Sequence, residues 1–132
     1  MITGIHALLY SPDPDATRAF FRDVLKLRSV DAGRGWLVFA LPPAELGIHP
    51  ADGAQPAEVY LMCDNLDQTL AELAPHGVGV TRPTTEQGWG KSTTIRIPGG
   101  PMLGLYEPRH PTALAIAAEQ ASTYNTPSQV RP

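Results

Sequence analysis

The sequence predicts an α+β protein made of two βαβββ modules, and three observations carry that prediction. Residues 5–21 read as a strand, a turn and a capped helix, and the same pattern returns at residues 57–73, an offset of 52 positions. At that offset Asp15 falls on Asp67, Thr17 on Thr69 and Ala19 on Ala71, while Phe21 falls on Leu73 and keeps a core position apolar. A self-similar sequence of this kind marks a duplicated structural unit. Second, each helix is followed by short strand-like runs separated by Gly and Pro, of which there are 12 and 14. Third, 132 residues with 42% apolar content suffice for one domain with a buried core.

Each element has a local justification. Residues 2–10 read as strand one, with Ile5, Ala7 and Leu9 on one face and His6, Leu8 and Tyr10 on the other. Two largely apolar faces predict burial on both sides. Asp13 is a good N-cap, and Pro14 fits the first helical position, where a missing N–H costs nothing. The helix is expected to run to about Lys26. Phe20, Val24 and Leu27 form its stripe, widened by Phe21 and Leu25. Residues 28–31 and 36–41 read as strands around the glycine-rich turn 32–35. Pro42 and Pro43 break the second strand. Residues 45–49 read as the fourth strand, ended by Pro50, and 50–56 as a linker.

The second half repeats the order. Residues 57–63 read as a strand. Asn65 caps a helix with Gln68 at capping-box spacing, and Leu66, Leu70 and Leu73 form its buried stripe. Pro75 and Gly77 stop it. A short strand at 78–81, a loop at 83–90, a strand at 91–97, a turn at 98–101 and a strand at 102–107 complete the module. The reading is one domain over 1–110, with modules at about 1–50 and 57–108, and a tail at 111–132. Residues 112–122 are alanine-rich and predict a helix, and the last ten residues are expected to fray.

Composition narrows the function classes. A formal net charge of −3 without a run of Lys or Arg argues against a nucleic-acid surface. The single cysteine, Cys63, forms no internal disulfide and excludes thiolate zinc clusters. No signal-peptide pattern and no run of about 20 apolar residues is found, so no membrane association is expected and a cytoplasmic location is the default. No Ser/His/Asp order stands out, and no glycine-rich phosphate loop joins a strand to a helix.

The element order, Gly4-Ile5-His6-Ala7-Leu8, the helix end Ala19-Phe20-Phe21-Arg22-Asp23-Val24-Leu25-Lys26-Leu27, and Ile97-Pro98-Gly99-Gly100 before Met102-Leu103-Gly104-Leu105-Tyr106-Glu107-Pro108 resemble the vicinal oxygen chelate superfamily. That group includes glyoxalase I, bleomycin and fosfomycin resistance proteins, and extradiol dioxygenases. The helix end is similar to the family's "FYxxVLGL" pattern, with Lys26 where glycine is usual. The resemblance covers residues 2–108. It implies two modules forming an open curved barrel around one pocket, often with a divalent metal, and a homodimer.

The resemblance places metal ligands on strands one, four, five and eight. His6 matches on strand one, and Glu58 stands on strand five where many members have histidine. The usual strand-eight glutamate position is Gly104, which has no donor. Strand four offers Glu45 in one alignment and Gly47 in the other. Glu45, Gly47 and His49 share a face at period two, so Glu45 or His49 remains able to reach the pocket. One reading is therefore a lyase or isomerase in which His6, Glu45 and Glu58 hold Mn, Fe, Ni or Zn as a Lewis acid, with Glu58 also the candidate catalytic group. Extradiol ring cleavage fits less well, because it needs Fe(II) held by two histidines and a carboxylate. The other reading is a metal-free pocket that binds a flat or apolar small molecule.

Tyr10, Tyr60 and Tyr106 share the parity of the ligand positions, and Trp89 lies between two glycines in a loop. With His49 they are the candidate ligand-binding side chains, each balanced against a plain packing role. Met62 on the same face reads as core. Cys63 has the opposite parity and reads as a small buried apolar residue. His76 reads as an exposed helix end. Arg109 and His110 read as solvated or as dimer contacts.

Overall fold

A computed structural model of the chain describes residues 3–124. The expected frayed end lies for the most part outside them. Helix α1 spans Pro14–Ala19, and the Asp13 carboxylate accepts from the Ala16 N–H at 3.2 Å. Helix α2 spans Leu66–Leu73, and the Asn65 side chain accepts from the Gln68 N–H at 3.0 Å. The duplication thus survives at atomic detail. Thr17 and Thr69 each bring their hydroxyl within reach of the carbonyl of their own N-cap, Asp13 at 3.3 Å and Asn65 at 2.7 Å.

The helix ends differ. After α1 the chain makes a π-helical turn, Phe20–Val24, so the consecutive Phe20 and Phe21 are both buried. A regular α-helix turns neighbouring residues 100° apart, and the wider turn widens the buried stripe. After α2 a 3₁₀ turn, Ala74–His76, closes at Gly77 with φ of 81°.

Strands β1 (Ser29–Asp31) and β2 (Leu37–Phe39) form an antiparallel hairpin. The Asp31 carboxylate ties its turn by accepting from the Gly33 and Gly35 N–H groups at 2.7 and 3.1 Å. The larger sheet contains β3 (Tyr60–Met62), β4 (Gly79–Val80), β5 (Thr85–Gln87), β6 (Gly90–Arg96) and β7 (Met102–Pro108). Its order is β3-β7-β6-β4, with β5 also paired to β6. β3 is parallel to β7, and the remaining pairs are antiparallel. β5 falls inside the stretch read as a loop. Helix α3 (Leu114–Tyr124) follows the sheet.

Two expected strands do not form within the chain. Residues 3–10 and 41–59 contain neither helix nor strand, and Ile5, Leu46 and Ile48 are 84%, 83% and 89% exposed. A β-strand is completed by a neighbouring backbone, which apolar alternation does not itself supply.

The core lies on one side of the larger sheet. Phe20 and Phe21 beside α1, Leu66 and Leu73 of α2, Ile95 and Ile97, and Leu103 and Leu105 form one buried cluster. Ile95 is paired with Leu103 across β6 and β7, so the two point to the same side. The halves are clasped by hydroxyls. Thr17 Oγ1 donates to the Pro98 carbonyl at 2.8 Å, and Ser11 Oγ donates to the Gly99 carbonyl at 3.1 Å.

Candidate functional site

The opposite side of the sheet carries the aromatic candidates. Ser92 pairs with Tyr106, Thr94 and Tyr60 both pair with Gly104, and Met62 pairs with Tyr106. Residues opposite one another in a ladder share a side, so these face away from the helices. Tyr60 and Tyr106 meet edge to face at 6.2 Å, and Trp89 meets Tyr106 the same way at 5.5 Å. His110 stacks on Tyr106 at 5.8 Å. Such ring pairs stabilise one another by about 0.5–1.5 kcal/mol beyond their burial.

Hydrogen bonds hold the rings. Trp89 Nε1 donates to Gln87 Oε1 at 2.8 Å, and the Tyr106 hydroxyl donates to the Trp89 carbonyl at 3.3 Å. His110 Nδ1 lies 2.7 Å from the Pro111 carbonyl, which only accepts, so Nδ1 carries the proton. The Tyr60 hydroxyl donates to Glu58 Oε2 at 2.8 Å. That bond, then burial and the Glu58 charge, raises the Tyr60 pKa above the ordinary tyrosine value. Burial first, and then the charge of Glu45, raises that of Tyr106. Burial likewise pushes the Cys63 thiol up, in keeping with a packing role.

Gly104 explains the seat of Tyr60. A β-carbon at this position would overlap the Tyr60 ring, which lies directly over the glycine. The strand position where the resemblance implies a metal-binding glutamate is therefore covered by an aromatic ring.

The proposed metal ligands take other partners. Glu45 Oε2 accepts from the Ala113 N–H at 2.7 Å, just before α3, and Glu45 Oε1 lies 3.9 Å from His110 Nε2. Glu58 holds Tyr60, and His6 is exposed on the unpaired N-terminal segment. Among the described residues no three His, Cys, Asp or Glu side chains converge as a metal cluster. Within one chain, His6, Glu45 and Glu58 thus do not fit a metal, and no chemical step is derived through one. Of the ligand-binding candidates, Tyr60, Trp89 and Tyr106 come together. Tyr10 is 85% exposed and His49 is exposed, and neither joins them.

Sequence reasoning missed two contributors. His110 shares strand parity with Tyr106 and Pro108, a signal that places it on the same side. Gln87, which orients Trp89, had no signal, because its segment reads as a loop.

The sequence and architecture match a known group. The family model described as "Glyoxalase/Bleomycin resistance protein/Dioxygenase superfamily" covers residues 5–109, and the chain belongs to that superfamily. Solved structures agree in fold. A lactoylglutathione lyase from Agrobacterium tumefaciens is 21% identical, with 80% of this chain and 93% of that one covered and a TM-score of 0.54. A superfamily member from Sphaerobacter thermophilus is 22% identical, with 80% and 97% covered and a TM-score of 0.56. The fosfomycin resistance protein FosX from Mesorhizobium loti is 17% identical, with 80% and 92% covered and a TM-score of 0.51. No curated protein matches the chain. Among the described residues no helix is long and apolar enough to cross a membrane.

Proposed function

We propose that this protein binds a flat, ring-bearing small molecule against Tyr60, Tyr106 and Trp89, and works as a cytoplasmic homodimer. The observation that carries this reading is the Tyr60 ring over Gly104. It turns the strand-eight position, a donor site by resemblance, into part of an aromatic platform. Stacking on such a platform needs no directional bond and suits planar ligands. Glu58 and Glu45 adjoin the rings, so a planar cation is favoured over a planar anion. The metal-dependent lyase or isomerase reading requires His6, Glu45 and Glu58 to leave their present surroundings and meet.

Trp36→Phe leaves Trp89 as the sole tryptophan, so its fluorescence reports on the face. Proflavine, a flat cation, is expected to quench it saturably, about tenfold more tightly than the flat anion 1-anilinonaphthalene-8-sulfonate, a difference of about 1.4 kcal/mol. Tyr106→Ala should abolish the quenching while circular dichroism stays unchanged. Stoichiometric Mn, Fe, Ni or Zn in the purified protein, lost in Glu58→Ala, would overturn the reading in favour of the metal enzyme.

A further inference from the structure

Glu45 is a largely buried carboxylate with one oxygen that lacks a close donor. Its side chain is only 19% exposed. Oε2 accepts from the Ala113 N–H at 2.7 Å. Among the described residues, Oε1 faces only His110 Nε2, at 3.9 Å, which is beyond hydrogen-bond reach. His110 directs its Nδ1 proton to the Pro111 carbonyl, so a neutral ring turns the Nε2 lone pair toward Oε1. Two acceptors then face each other. A carboxylate taken out of water in this way calls for a better partner.

The rest of the slot is shaped for a flat ring. The His110 imidazole stacks on Tyr106 with 27° between the planes. Tyr60 and Trp89 meet the same Tyr106 ring edge to face, so the slot continues the aromatic platform. The backbone around His110 is tied on both sides. The Arg109 N–H donates to the Trp89 carbonyl at 2.9 Å, and the Ala113 N–H is held by Glu45. The adjacent cation, Arg109, is engaged by Glu86, which leaves Glu45 to set the charge of the slot. The imidazole itself is 34% exposed, so its exit needs side-chain rotation toward water and no movement of the tied backbone.

We propose that the slot between the Tyr106 ring and the Glu45 carboxylate is the subsite for the charged end of the ligand, a planar N–H cation of the amidinium or imidazolium class, and that His110 occupies it as an internal stand-in until the ligand displaces it. This rests on the ligand reading above and names the group that it recognises. An amidinium is flat, stays charged across the working pH range and carries N–H donors in its plane. It stacks on Tyr106 while donating to Oε1, at the distance His110 does not reach. A carboxylate is repelled by Glu45, and an alkylammonium has no face to stack. The Glu45 charge counts for more than that of the exposed Glu58, because burial reduces screening by water and salt. His110 in turn sets a threshold. A ligand must outcompete a tethered ring, and weak flat binders do not.

The test titrates benzamidine, a planar amidinium, into the full chain by isothermal calorimetry, beside its neutral isostere benzamide and the anion benzoate. His110→Gly is expected to bind benzamidine at least about tenfold more tightly than wild type, and to prefer it to benzamide and benzoate by a similar factor. Adding Glu45→Gln, whose amide oxygen still accepts from Ala113, should remove that preference. A second readout uses the unaltered protein. The Hε1 resonance of His110, identified among the four histidines by its loss in His110→Gln, should lie upfield in the ring current of Tyr106. It should move to the free-histidine position as benzamidine saturates, and it decides alone if His110→Gly loses its helical signal. Equal affinity of wild type and His110→Gly would overturn the proposal. So would equal binding of benzamide, a preference that survives Glu45→Gln, a His110 resonance that stays in place, or no benzamidine binding at all. Proflavine separates the two claims. Quenching of Trp89 without benzamidine selectivity keeps the aromatic platform and loses the slot, and selectivity without quenching does the reverse.

Discussion

Lys26 holds φ at 60°, the left-handed region that ordinary side chains avoid. It ends the π-helical turn after α1, where a glycine would meet no such penalty. The resemblance implies glycine at this position, and the backbone gives the physical reason. Lys26→Gly is therefore expected to stabilise the protein by about 1 kcal/mol, the left-handed penalty less glycine's extra unfolded-state entropy. Urea unfolding should show a raised midpoint with an unchanged slope. Tyr60 illustrates a different residue-scale effect. Its pKa is raised by the bond to Glu58, so the neutral hydroxyl is the form the fold prefers. The stability from that bond is complete below the unfolded tyrosine value of about 10 and is lost as pH rises through the higher folded value.

At the scale of elements, the packing of β3 on β7 depends on one missing side chain. Gly104→Ala drives a methyl group into the Tyr60 ring and is expected to destabilise by about 1–3 kcal/mol, as overpacking does. In a Tyr60→Ala background the same change should cost far less, and a double-mutant cycle by urea unfolding measures the difference. Equal costs in both backgrounds would mean that the ring does not sit there. Both helix starts were legible in the sequence, because Asp13 and Asn65 act locally on the next turn. The π-helical turn was not, since adjacent phenylalanines alone do not specify which kind of turn buries them. The 4–10 and 45–49 segments carry a true strand pattern, yet a pattern names only a willingness to pair. Strand parity placed Tyr60 and Tyr106 on a common side, and in the structure Trp89 meets Tyr106 there. The bond of Glu45 to the Ala113 N–H, 68 positions away, had no signal in the sequence.

For the whole molecule, the proposed homodimer would tie stability to association. Stability then depends on protein concentration. Each tenfold dilution is expected to lower Tm by roughly 2–4 °C, read by calorimetry across a concentration series. A Tm that stays constant would place the chain among self-sufficient monomers. The superfamily fold itself follows from the duplication, the two capped helices and the shared core.

The clasp between Thr17 and Pro98 also bears on how the chain is made. Besides the nearer Phe39, Leu66 and Leu73, Phe20 and Phe21 share their core with Ile95, Ile97, Leu103 and Leu105, some 75–85 residues nearer the C-terminus. At roughly 5–20 residues per second, a growing chain waits about 4–17 s after these two rings before their sheet companions leave the ribosome. Early release or stalled synthesis would strand an amphipathic fragment with its core only partly covered, a natural client for a chaperone.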